Sequence, residues 1–284
     1  MKGNNIMYND MKSRKTLRNP HSIISSAPGC GKRFLLFQEI KKILKEDESD
    51  KIYILDVDGN YRYLQDTLEI DETKFQRIQI TEKSIPSDVS IDFSNHALTY
   101  DYEFISGAHD TIFKEEVSDI LLSNELDVNR NARAVVFDLS NLSDKLHSFA
   151  AALCLHTINK EVHYNRNTIY SWIYLDAFRY INENSIIGYI VCDMLRRYRT
   201  LRGILTTFMD IPEDRVHHQI VQSSGSFYLL RQSYEGASRW VDLLFTDRNK
   251  NEIVNRLTQL EIGKGLLFSG GSYTPFQIII CGGK

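Results

Sequence analysis

The sequence predicts an α/β fold built on a mostly parallel central sheet flanked by helices, and three observations carry that expectation. First, three short apolar runs each end in a carboxylate: Lys51-Ile52-Tyr53-Ile54-Leu55-Asp56, Ala134-Val135-Val136-Phe137-Asp138 and Trp172-Ile173-Tyr174-Leu175-Asp176. Near-continuous apolar runs suit parallel strands buried on both faces. Second, the stretch from Lys145 to His163 carries Leu146, Phe149, Ala150, Leu153 and Ile158 at helical spacing. Third, a glycine-rich turn joins an apolar strand at Ile23 and Ile24 to an amphipathic helix through Phe34, Leu35, Phe37, Ile40, Ile43 and Leu44. Strands alternating with helices imply a doubly wound sheet, with ligands at the carboxyl ends of the strands.

Further elements follow downstream. A helix is expected over Ile187–Arg199 and strands at Gly203–Thr207 and Phe227–Leu230. Gly265–Phe268 and Phe276–Ile280, separated by Gly270-Gly271, predict a closing β-hairpin. Residues 82–132 are irregular, with a helix expected around Ile112–Leu122. Residues 1–21 are polar and basic and predict an exposed lead-in, leaving 22–284 as one domain.

Composition excludes several classes. With 42% hydrophobic and 25% charged residues the chain is an ordinary globular protein, and a net charge of −3 gives no global argument for nucleic-acid binding. Cys30, Cys154, Cys192 and Cys281 lie far apart without a C-x-x-C pair, which predicts reduced thiols rather than a disulfide framework or zinc site. No apolar stretch approaches a membrane span and Met1–Asn4 opens no signal sequence, so a cytoplasmic protein is expected.

The turn itself, Ser26-Ala27-Pro28-Gly29-Cys30-Gly31-Lys32-Arg33, approximates the phosphate-binding pattern G-x-x-x-x-G-K-[S/T]. Glycines let backbone N–H groups wrap phosphates at a helix N-terminus, and the lysine reaches the outer phosphates. Ser26 stands at the first glycine. Arg33 replaces the hydroxyl residue that ligates Mg²⁺, and its guanidinium cannot shed its charge. The expected nucleotide-binding residues are Pro28, Gly29, Cys30, Gly31, Lys32, Arg33 and Phe34. ATP or ADP is the implied ligand.

Several motifs in order resemble one family, the conjugative-transfer (type IV secretion, TraE/TraC-like) ATPases of the RecA-like FtsK/HerA superfamily. The resemblance runs from Met11–Pro20 through Ala27–Lys32, Asp56–Tyr61, Phe137–Leu142, Trp172–Phe178, Arg196–Arg199 with Gly203, and Gly263–Phe268 with Pro275-Phe276. It implies a RecA-like P-loop fold with a shortened helical insertion before Asp138, and a motor domain is expected here without the family's N-terminal docking domain. It also implies that catalysis is degenerate. Asp176 occupies the place of the second motif's aspartate and could ligate Mg²⁺ or act as a cap. Ala177 stands where the family has the glutamate base, whose loss costs roughly 10²–10⁴-fold in rate. Asn60 replaces a second glutamate, and Asp210 falls near the polar sensor. Asp56 and Asp138 also read as strand-terminal or capping carboxylates.

Arg196, Arg197 and Arg199 read equally as an arginine finger for a neighbouring subunit or as a solvated helix face. Three functions are therefore carried forward. The first is a pseudo-ATPase in a type IV secretion or conjugation machine, partnered by an active paralogue and recruited to the inner face of the membrane. The second is a slow ATPase using Asp58 or Asp210. The third is a DNA-translocation module, which the acidic balance disfavours.

Overall fold

The computed structural model describes residues 14–46, 48–82, 126–176, 186–245 and 249–278. Its centre is a nine-stranded sheet in the order β3-β4-β2-β5-β6-β1-β7-β8-β9. The first seven in sequence are β1 (Ser22–Ser25), β2 (Lys51–Asp56), β3 (Phe75–Gln79), β4 (Ala134–Asp138), β5 (Ser171–Asp176), β6 (Gly203–Phe208) and β7 (Ser226–Leu230). These seven pair with one another in parallel. The last two, β8 (Lys264–Ser269) and β9 (Ser272–Gln277), close the sheet as an antiparallel hairpin.

Burial explains why the central strands read as continuous apolar runs. Every residue of β4, β6 and β7 is buried, as are Ile52–Asp56 of β2. Alternate side chains enter two separate cores, as the strand period of two requires. On one face Tyr53, Leu55, Phe137 and Leu175 pack against four helices. These are α3 (Asp144–Asn165), α4 (Ile186–Arg197), α5 (Arg215–Gln222) and α6 (Tyr234–Leu244), and α7 (Lys250–Thr258) adds Ile253 and Leu257. On the other face Ile52, Ile54, Val136, Trp172 and Tyr174 meet Leu35, Leu36, Ile40 and Ile43 of α1 (Lys32–Glu46). The short helix α2 (Leu64–Leu68) adds Leu64 to that layer.

The hairpin differs from expectation. Its second strand begins at Ser272 rather than Phe276, because Gly270 (φ 60°) and Gly271 (φ 79°) form a two-residue turn that pairs Ser269 with Ser272 at once. Pro275 is tolerated because β9 is an edge strand. Ile279, Ile280 and Cys281 lie outside the described residues, as does the helix expected at Ile112–Leu122. Cys30, Cys154 and Cys192 are free and buried.

The lead-in is not simply exposed. Arg14 is fully buried: its guanidinium donates to Glu39 on α1 at 2.5 Å, to Thr206 on β6 at 2.9 Å and to the carbonyl of Pro20 at 3.0 Å. It also lies 5.2 Å from the centre of the Trp172 ring. Lys15 pairs with the buried Asp50 at 2.6 Å, and Trp172 donates its indole N–H to the same carboxylate. His21 is buried too and accepts the N–H of Leu205 at Nδ1. Isolated buried charges are costly, so the segment docks only because each cation finds its carboxylate.

Removing Arg14 alone would leave the Glu39 charge in the core without its cation. Arg14→Ala is expected to cost about 3–5 kcal/mol in chemical denaturation. A double change of Arg14→Met with Glu39→Leu should recover most of that loss; additive destabilisation by the pair would contradict this account.

Candidate functional site

Because the parallel strands run in one direction, the ends of β1, β6, β5 and β2 open onto one edge of the sheet. A cleft of about 480 Å³ lies there. It is lined by Ser26, Pro28, Gly29, Cys30, Gly31, Lys32, Arg33 and Phe34 from the β1–α1 turn. Val57, Asp58, Asn60 and Tyr61 join from the loop after β2, with Asp176, Phe208 and Asp210 from the ends of β5 and β6, and Ile262, Gly263 and Ile278 from the far side. All seven predicted nucleotide-binding residues thus share one cleft with Asn60, Asp176 and Asp210.

The turn has the shape its glycines imply. Gly29 (φ 75°) and Gly31 (φ 105°) adopt backbone conformations that side chains disfavour, and a Cβ on Gly31 would also press on Ile278 at 3.3 Å. The loop is tied down at Ala27, whose N–H reaches the carbonyl of Arg231 at 2.8 Å. Helix α1 then starts at Lys32 with the N–H of Leu35 on the carbonyl of Gly31, which puts the positive end of the helix at the cleft.

Three carboxylates stand in register beside one another, with Asp56 opposite both Asp138 and Asp176. Adjacent strands lie about 4.8 Å apart, so each carboxylate needs its own donors. Asp138 has Arg77 and the N–H of Ser140. Burial alone would raise its pKa, yet hydrogen bonds from Ser140 and Arg77 hold it below the usual carboxylate range. Asp56 accepts the N–H groups of Asn60 and Tyr61, both at 2.9 Å. These two carboxylates are accounted for as structural groups of the strand ends. Asp176 takes the Asn60 side-chain amide at 3.2 Å and the Tyr61 hydroxyl at 2.9 Å on the same oxygen. Burial, then Asp176, pushes the Tyr61 phenol far up, which fixes it as a donor.

Lys32 reaches across the cleft to Asp210, Nζ to Oδ1 2.5 Å. Asp210 is held from behind. Its carbonyl accepts the Ser25 hydroxyl at 2.8 Å and the Trp240 indole N–H at 3.0 Å. The Ser25 oxygen in turn accepts from Trp240 at 2.9 Å and from the Gln232 amide at 3.2 Å. This buried hub fixes the end of β1 to the end of β6 and to α6. Sequence reading missed it because Ser25 lies more than 180 residues from Asp210, Gln232 and Trp240.

The other predicted residues fall elsewhere. Arg196, Arg197 and Arg199 do not line the cleft; Arg197 pairs with Asp193 one turn back, and Arg199 donates to the carbonyl of Ser223 at 3.5 Å. Ala177 lies outside the described residues.

Phosphates fit this cleft: the glycine turn, Lys32 and Arg33 supply backbone donors and two cations around a helix N-terminus. A magnesium ion does not fit it as well. Arg33 stands where a ligating hydroxyl would be, one oxygen of Asp176 is bound by Asn60 and Tyr61, and Asp210 is bound by Lys32. Among the described residues no three metal-ligating side chains come together.

No protein-family profile matches the chain, and no curated protein does. Solved structures do. VirB4 of Thermoanaerobacter pseudethanolicus superposes with a TM-score of 0.60 at 14% identity, over 92% of this chain and 89% of that one. The bacterial conjugative coupling protein TrwB gives 0.58 at 13% identity, over 96% and 87%. The genome packaging NTPase B204 from Sulfolobus turreted icosahedral virus 2, in complex with AMP, gives 0.51 at 11% identity, over 93% and 100%. The chain shares their P-loop NTPase fold. At these identities the likeness is one of fold alone. No helix among the described residues is long and apolar enough to cross a membrane.

Burial, opposed by the Tyr61 and Asn60 N–H groups and reinforced by Asp138 and Asp176, pushes Asp56 from an ordinary 3.8 up to about 6. A folded pKa above the unfolded one means that the group's stabilisation is complete below pH 3.8 and lost as pH rises through about 6. Carboxyl-carbon NMR should therefore show Asp56 titrating near pH 6; a midpoint below 4 would contradict the crowded-carboxylate account.

Proposed function

We propose that this chain is a nucleotide-binding P-loop domain of a conjugation or type IV secretion machine that holds ATP or ADP without turning it over, a pseudo-ATPase with a structural or regulatory role. The observation that carries the reading is the contrast inside one cleft. The turn keeps positive φ at Gly29 and Gly31 beside Lys32, while Asp176 and Asp210, the carboxylates at the neighbouring strand ends, are bound by Asn60, Tyr61 and Lys32. Arg33 is a fixed cation beside the loop. Asn60 offers an amide to Asp176 where a base would be needed. Ala177, read from the sequence, supplies neither proton acceptor nor water ligand.

In this reading the N–H groups of the turn, Lys32 and Arg33 hold the phosphates, and Arg33 contributes the positive charge that a metal supplies in active relatives. Charge-assisted contacts of this kind are the stronger class of hydrogen bond. Asp176 keeps the Asn60–Tyr61 loop in place rather than ligating Mg²⁺. The shared fold supports the setting, since one of the similar solved structures is that of a bacterial conjugative coupling protein, TrwB. The plasmid coupling protein TrwB has been solved with ADP and Mg²⁺ and with GDPNP. Partners would then be other proteins of such a machine, including an active paralogue that could receive Arg196, Arg197 or Arg199 as a finger. The location would be the cytoplasm or the inner face of a membrane complex.

Calorimetric titration with ATP, in Mg²⁺ and in EDTA, tests this directly. Binding is expected in both, at least tenfold weaker in Lys32→Ala, with turnover no greater than in that variant. Hydrolysis well above the Lys32→Ala background, dependent on Mg²⁺, would overturn the pseudo-ATPase reading and shift attention to Asp58, which lines the cleft.

A further inference from the structure

We infer that Asp210 is an intrinsic anion that occupies the phosphate-facing amine of Lys32, so that a phosphate ligand enters the cleft only by displacing it. The inference rests on the nucleotide-binding reading above and adds a regulation to the same site.

Three observations carry it. The first is the contact: Lys32 Nζ lies 2.5 Å from Asp210 Oδ1. A carboxylate oxygen on an ammonium is the same pairing that a phosphate oxygen would make there, and one side-chain position cannot serve both at full strength. The second is charge. The residues lining the cleft include two fixed cations, Lys32 and Arg33, and three carboxylates, Asp58, Asp176 and Asp210, a balance of minus one. With Asp210 in place the cleft opposes a polyanion; with Asp210 turned away the balance is zero and Lys32 is available. The third is mechanical. The backbone of Asp210 is clamped through its carbonyl by Ser25 and Trp240, whereas its side chain is 60% exposed. The carboxylate is thus delivered to Lys32 by a fixed main chain, yet it can leave by rotation about its own side-chain bonds with nothing else unfolding.

The consequence is a threshold on ligand charge. An exposed ion pair is weak in water, so a ligand bearing two or three phosphates can outcompete one carboxylate. A ligand with a single phosphate has far less advantage over Asp210. The resting cleft is therefore closed to weak anions and open to nucleoside di- and triphosphates.

The test is titration of ADP and of inorganic pyrophosphate into the full chain and into Asp210→Asn, Lys32→Ala and the double variant, with Asp210→Ser as a second neutral replacement and thermal unfolding as a check on folding. Asp210→Asn and Asp210→Ser are expected to bind both probes about tenfold tighter than the unaltered chain. In the Lys32→Ala background the same replacement should gain little, because the contested amine is gone. Equal or weaker binding by both neutral variants, with Lys32→Ala still impaired, would overturn the inference and leave the nucleotide-binding reading standing. An undiminished gain in the Lys32→Ala background would also overturn it, assigning the effect to general charge rather than to Lys32. No binding by any variant would overturn the nucleotide-binding reading and this inference together.

Discussion

The register of the parallel ladder is the constraint on which the rest of the molecule depends. Ladder hydrogen bonds set Asp56 directly opposite Asp138 on one side and Asp176 on the other, at the edge where the strands stop. Like charges at strand spacing repel, so the surrounding loops are shaped by the need to supply donors. The turn after β2 answers with the N–H groups of Asn60 and Tyr61 for Asp56. The same turn sends their side chains to Asp176, and β3 contributes Arg77 to Asp138. One wall of the cleft is a by-product of this neutralisation. That is why Asn60 and Tyr61 line the cleft together with the glycine-rich turn.

The opposite wall is set by a second group of interactions. β6 lies between β1 and β5, so the chain leaving β6 emerges beside the phosphate loop. Ser25 uses its hydroxyl proton on the carbonyl of Asp210 and its oxygen on Trp240 and Gln232, which exhausts its bonding capacity. Behind the sheet, Arg14 joins α1 to β6 through Glu39 and Thr206. The phosphate loop is therefore held at both ends: at its entry by the serine hub, and at its exit by a helix anchored through a buried ion pair.

Local chemistry was legible in the sequence and distant pairing was not. The runs ending in Asp56, Asp138 and Asp176 announce strands because both faces of each are buried, which leaves no polar residue to interrupt them. The phosphate loop is legible because positive φ demands glycine at two places. β3 escapes notice because an edge strand needs fewer apolar residues, and Phe75–Gln79 carries Gln76, Arg77 and Gln79. Helices α5, α6 and α7 are short and partly polar, and their clearest marks are the Asp214–His217 capping box and the Ser233 cap. The lead-in reads as exposed because Arg14 sits among basic and polar residues, while Glu39 is 25 positions away. The Lys32–Asp210 contact spans 178 positions and has no local signature at all. Residues 83–125 and Ala177 lie outside the described residues.

The central claim is that this cleft is built for phosphates and not for the metal that normally accompanies them. Crystals grown with ADP and Mn²⁺, measured for anomalous scattering, address it most directly. The account predicts phosphates wrapped by Gly29–Lys32 with Arg33 beside them and no manganese peak between the phosphates and Asp176. A strong peak coordinated by Asp176 or Asp58 and a phosphate oxygen would contradict it.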